Sequence, residues 1–175
     1  MVREFSLFLV FSGAKVSGDV YVMNTAAYRE ATPGDIETIA TFQITMAEET
    51  EQLHLDPEVC TAGVRAILND VSLGCYYVAE TNGQVVASAL ITYEWSDWRN
   101  GRVWWIQSVY VLPDKRKQGV YSGFYVYLQN LAHADDGVRG IRLYVDRRNK
   151  LAQQAYTRLG MNGDHYQVFE WMKEF

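Results

Sequence analysis

The sequence predicts an α+β domain built on a mixed sheet. Three observations carry this. The order of elements reads strand, two helices, three antiparallel strands, helix, strand, helix, strand. Two turn signals, Asn82-Gly83 and Asn100-Gly101, lie between strand-like runs and make the middle of the sheet antiparallel. The chain has 175 residues, 49% apolar and 21% charged, which suits one domain with a real core.

Each element has its own signal. Tyr28-Arg29-Glu30-Ala31 reads as a short strand. Thr32 can cap the next helix, and Pro33 fits its first position. Ile36, Ile39 and Ala40 begin the apolar face of that helix. Asp56-Pro57 opens a second helix, with Val59, Ala62, Gly63, Ala66 and Ile67 at helical spacing up to Asn69-Asp70. Tyr76–Glu80 and Gln84–Tyr93 form a hairpin about Asn82-Gly83, residues that tolerate positive φ. Arg102–Val111 is the returning strand of a second hairpin. From Gly119 to His133 the pattern is helical, with Val120, Phe124, Tyr127 or Leu128, and Leu131 on one face. Ile141–Val145 is a strand, Lys150–Leu159 a helix closed by Gly160, and Tyr166–Trp171 a last strand.

Composition excludes several classes. Lys plus Arg is 16 and Asp plus Glu is 21, a net charge of −5 that argues against nucleic acid as the main partner. No apolar run reaches the roughly 20 residues that span a bilayer, so no membrane role is expected. Cys60 and Cys75 read as free thiols in a reducing compartment, which points to the cytoplasm. His54, His133 and His165 are scattered, and no metal site is expected. Residues 1–22 read as an extension carrying a plausible extra strand at Phe5–Val10; residues 23–175 read as the single domain.

The sharpest signal lies between Val109 and Ser122. A strand ends at Val111, a basic loop holding Lys115, Arg116 and Lys117 follows, and a helix opens at once. The first turn of a helix has N–H groups without intrahelical partners and a partial positive charge. Gly119 lets backbone approach a ligand closely. The combination predicts a phosphate or pyrophosphate site; the alternative is a solvated basic turn.

Arg116-x-x-Gly119-x-Tyr121, after a strand ending Val111-Leu112-Pro113, resembles the pyrophosphate loop of the GNAT superfamily of acyl-CoA-dependent N-acetyltransferases. A second signature of that family follows: Leu143-Tyr144-Val145, then Asn149, Ala152 and Tyr156, ending Leu159-Gly160-Met161. The resemblance spans Ala26 to Phe175. It implies a mixed, mostly antiparallel sheet with helices on both faces. It also implies transfer of an acetyl group from acetyl-CoA to a primary amine, without a metal.

The resemblance assigns roles. The backbone of Lys117, Gln118, Gly119, Val120, Tyr121 and Ser122 would cradle the pyrophosphate, with Arg116 closing over it. The main chain from Val109 to Val111 would pair with the pantetheine arm like an added strand. Asn149 would hydrogen-bond that arm and Ala152 would leave it room. Tyr156 would be the general acid for the departing thiolate, and an amide near Val109 would hold the oxyanion.

The base is less defined, because Arg102–Val111 holds no carboxylate and Gln107 cannot act as one. Glu94 is the first choice, ahead of Asp97, Glu48, Glu49 and Glu51. Glu48, Glu49, Trp95, Asp97 and Gln107 are expected to border the acceptor, and carboxylates beside aromatic rings suit a small cationic amine. The rings of Tyr93–Arg99 and Trp104-Trp105 either wall that pocket or pack the sheet. Tyr121 departs from the small residue the family prefers there, which leaves a non-catalytic acyl-CoA sensor as the alternative. A third reading is a structural or interaction domain with the aromatic hairpin as its partner surface, for which a homodimer through that hairpin would be the sign.

Overall fold

In the computed structural model, residues 26–173 are described with their side chains; before them only the backbone of three short strands is described. These are β1 (Phe8–Leu9), β2 (Gly13–Val16) and β3 (Val20–Met23). Then follow β4 (Ala27–Glu30), α1 (Ile36–Glu51), α2 (Pro57–Asn69), β5 (Cys75–Thr81), β6 (Gln84–Ser96), β7 (Gly101–Val111), α3 (Val120–Ala134), β8 (Val138–Arg142) and α4 (Lys150–Arg158). Of the expected strand Phe5–Val10, only Phe8–Leu9 falls on described residues, and it pairs with β4. The chain divides into two compact units, Met1–Arg142 and Leu143–Phe175.

The first unit holds a six-stranded sheet in the order β1-β4-β5-β6-β7-β8. All neighbours are antiparallel except β7 and β8, which are parallel. Alternation along the strands gives the sheet two faces. Tyr76, Val78 and Leu90 pack with Ile39 and Ala40 of α1 and Val64 of α2. Across the sheet, Tyr28 and Tyr77 meet Phe124 and Tyr127 of α3, and the Tyr28 hydroxyl donates to the Val120 carbonyl at 3.0 Å. The expected α+β class, with helices on both faces, is what the chain forms.

Local chemistry explains the element starts. Asp56 caps α2 by accepting from the amides of Glu58 and Val59 at 2.8 and 3.4 Å. The helix expected from Pro33 opens instead with a 3-10 turn, Pro33–Asp35. There the Asp35 carboxylate accepts from Thr32 and from both terminal nitrogens of Arg29, while Arg29 Nε reaches Glu80. Asn82 and Gly83 both take positive φ, as the hairpin turn requires.

Two expectations need correcting. The strand expected at Ile141–Val145 lies earlier, at Val138–Arg142. The turn after α3 is short, and its Gly137 carbonyl already accepts from Arg102 at the start of β7, so pairing begins at once. Tyr166–Trp171 alternates like a strand but forms none. Alternation alone does not make a strand; its backbone needs a neighbouring edge. The tail instead leaves Tyr166, Phe169 and Trp171 exposed.

Candidate active site

The site begins where β7 and β8 part. Their pairing ends at Trp105 opposite Arg142, and β7 runs on through Ile106–Val111. Within that stretch the β6–β7 register shifts: Ser88 faces Tyr110, whereas Leu90 faces Gln107. Ser108 and Val109 thus stand opposite one residue, a β-bulge, and Ser108 takes φ 49°. The buried Gln43 of α1 reaches the Ser108 carbonyl at 3.5 Å. A bulge turns peptide groups out of the ladder, which is what an incoming ligand needs.

β7 then delivers the chain to the basic loop. After a 3-10 turn at Pro113–Lys115, Lys117 and Gly119 take left-handed φ of 62° and 80°. Gly119 is the N-cap of α3, so the last turn of the loop leads straight into the helix. Gln118 bonds back to the Asp114 carbonyl at 2.5 Å and stiffens the loop. Tyr121 turns its hydroxyl oxygen into the protein, where it is buried. Its bulk is therefore directed away from the solvent side of that turn.

Two similar clusters flank the open stretch of β7 on the α1 face. In the first, Glu94 accepts from Arg142 at 2.7 Å and from Trp105 Nε1 at 2.7 Å, with the Arg142 guanidinium 5.9 Å from the Trp105 ring centre. In the second, Glu49 accepts from Arg116 at 2.6 Å and from the Tyr110 hydroxyl at 3.2 Å. Arg116 also lies 5.4 Å from the Tyr110 ring centre and donates to the Val111 carbonyl at 2.9 Å. Burial, and then the Glu49 charge, push the Tyr110 phenol above its ordinary range. Between the clusters, Gln107 donates to Thr92 at 2.6 Å.

The structure therefore sorts the expected acceptor residues. Glu49, Glu94 and Gln107 share the α1 face. Trp95 alternates onto the opposite face, facing Arg102 across the ladder, and is 64% exposed. Asp97 sits at the hairpin tip, accepting from the Trp98 amide. Glu48 is exposed, 3.9 Å from His54. The adjacent tryptophans divide: Trp104 is buried on the α3 face, and Trp105 is half-buried beside Glu94. Sequence reasoning missed Arg142, Thr92 and Tyr110 as parts of this face.

In the second unit, Asn149 caps α4, its side-chain oxygen accepting from the Ala152 amide at 3.0 Å. Ala152 and Tyr156 follow on the same helical face and are half-buried. Gly160, at φ 84°, ends the helix. The Asp146 carboxyl is held down to about 2 by the Arg148 hydrogen bonds.

The Acetyltransferase (GNAT) family pattern matches residues 38–161. This chain belongs to the GNAT acetyltransferase family. It is an N-acetyltransferase that uses acetyl-CoA. A possible acetyltransferase from Clostridium difficile 630 is 41% identical, over 86% of this chain and 99% of that one, with a TM-score of 0.79. A predicted acetyltransferase from Clostridium acetobutylicum, solved with acetyl-CoA, is 23% identical over 83% and 96%, with a TM-score of 0.66. The aminoglycoside N-acetyltransferase AAC(6')-Iy, in complex with the bisubstrate analogue CoA-S-monomethyl-acetylneamine, is 16% identical over 86% and 99%, with a TM-score of 0.68. No curated protein sequence matches the chain. In this GNAT protein no group of three His, Cys, Asp or Glu side chains that could hold a metal occurs among the described residues, and no helix among them is long and apolar enough to cross a membrane.

Proposed function

We propose that the protein moves an acetyl group from acetyl-CoA directly to the primary amine of a small acceptor. The observation that carries this is the parting of β7 from β8 just before a bulged, open stretch that leads into the left-handed loop and α3. An open strand edge pairs with the amide groups of pantetheine, and a helix start takes the pyrophosphate.

The amine nitrogen attacks the thioester carbonyl carbon and a tetrahedral oxyanion forms. The peptide N–H of Val109, beside the bulge, is the proposed donor to that oxygen. Collapse breaks the carbon–sulfur bond, and Tyr156 gives its phenolic proton to the thiolate. Asn149 holds the pantetheine arm through its amide nitrogen. Neither thiol suits a covalent route: burial pushes Cys75 up to about 12 and raises Cys60.

Glu94 was the expected base, but it accepts from both Arg142 and Trp105. Those two donors already occupy its oxygens. We therefore read Glu94 as holding the strand junction, and the amine proton passes to solvent. Support for a cationic acceptor rests on the exposed Glu48 and Asp97, since Glu49 and Glu94 are already paired with arginines. That engagement of both carboxylates is also the observation that favours an acyl-CoA sensor as the second reading. Release of free CoA from acetyl-CoA over a panel of primary amines decides between them. Amine-dependent release supports the enzyme, and binding without release supports the sensor.

A further inference from the structure

We propose that Glu49 positions the cofactor loop by holding Arg116, and that Arg116 acts as a strut of that loop instead of a clamp on the pyrophosphate. This rests on the acetyl-CoA reading above.

The family pattern suggests that Arg116 closes over phosphate. The geometry gives its guanidinium other work. Arg116 bonds to Glu49 at 2.6 Å and to the Val111 carbonyl at 2.9 Å, and it stacks near the Tyr110 ring. Glu49 in turn takes the Tyr110 hydroxyl at 3.2 Å. One arginine thus ties together the last turn of α1, the end of β7 and the loop that opens α3. Glu49 lies 67 residues from Arg116, so this link fixes the loop from a distant element. Planar donors placed at two fixed acceptors suit a guanidinium and not an ammonium. The pair is partly exposed, with side-chain exposures of 43% and 36%, so its effect is modest.

The proposal makes a prediction opposite to simple electrostatics. Acetyl-CoA is a polyanion, so removing a nearby negative charge should ordinarily tighten its binding. If Glu49 positions the loop, Glu49→Gln weakens acetyl-CoA binding by about fivefold, roughly 1 kcal/mol. Glu49→Asp, which keeps the charge, recovers part of the loss. Arg116→Lys loses about as much as Arg116→Gln, because the fork is gone in both. The double variant Glu49→Gln/Arg116→Gln is no worse than the poorer single variant.

Calorimetric titration with acetyl-CoA reads all five variants, and thermal melting without ligand confirms that each is folded. Tighter or unchanged binding by Glu49→Gln overturns the proposal. So does an Arg116→Lys variant that binds like the native protein, or losses that add in the double variant. Should Glu49→Gln not fold, the comparison of Arg116→Lys with Arg116→Gln decides alone. Absence of acetyl-CoA binding by the native protein would instead sink the cofactor reading itself.

Discussion

The clusters at the two ends of the open stretch of β7 use the same parts for different work. Each joins a glutamate, an arginine and an aromatic ring. Glu94, Trp105 and Arg142 lie on three adjacent strands, and their bonds run within the sheet. They secure the last rung before β7 and β8 separate. Glu49, Tyr110 and Arg116 lie on a helix, a strand and a loop, and their bonds leave the sheet. They secure the loop proposed to receive the cofactor. The same ion pair can thus act on stability or on binding, depending on whether its partners are neighbours in a ladder or ends of separate segments.

Variants can break this comparison. The largest effect is expected outside both clusters. Tyr156→Phe should lower kcat about 100-fold, because thiolate departure loses its proposed acid. Steady-state CoA release checks it, and it sets the scale for a chemical role. A fall of that size in Glu94→Gln would restore Glu94 as the base and break the comparison.

We expect Glu94→Gln to cost on the order of 1 kcal/mol of stability, as a partly exposed pair should. That corresponds to a melting temperature lower by about 2–4 °C for a chain of this size. Acetyl-CoA affinity should move by less than about twofold, the reverse of the pattern at Glu49.

A pH effect concerns a third carboxylate–arginine pair, Asp35 with Arg29. Burial opposes ionisation of Asp35, but hydrogen bonds from Arg29 and Thr32 outweigh it and hold the carboxyl down to about 2. This lies below the unfolded value near 4. Its contribution is therefore present above about pH 4 and is lost as pH falls toward 2. Urea melts of the native protein should lose stability through that window, and Asp35→Asn should flatten the dependence.

What the sequence shows clearly is local backbone chemistry. Asp56 as a cap, Asn82-Gly83 as a turn, Gly119 before α3 and Gly160 after α4 are legible because few residues meet those backbone demands. Ser108 is different. Its left-handed φ comes from the register between β6 and β7, and nothing about serine signals it. The two clusters are hidden for another reason. Glu94 and Arg142 are 48 residues apart, and only the parallel pairing of β8 on β7 brings them together. Arg116 carries a family pattern, yet its contacts are set by Glu49 and Val111, which the pattern does not include. The strand expected at Tyr166–Trp171 fails because alternation reports a face and not a partner.

The central claim is that the loop and first turn of α3, beyond the open edge of β7, receive acetyl-CoA. Calorimetric titration of the native protein and of Gly119→Pro with acetyl-CoA tests it most directly. Proline cannot adopt the positive φ that Gly119 takes at the N-cap of α3. The account predicts one-site binding by the native protein and a loss of at least about 100-fold in the variant, some 2.7 kcal/mol. Equal binding by both proteins, or none by the native one, would contradict it.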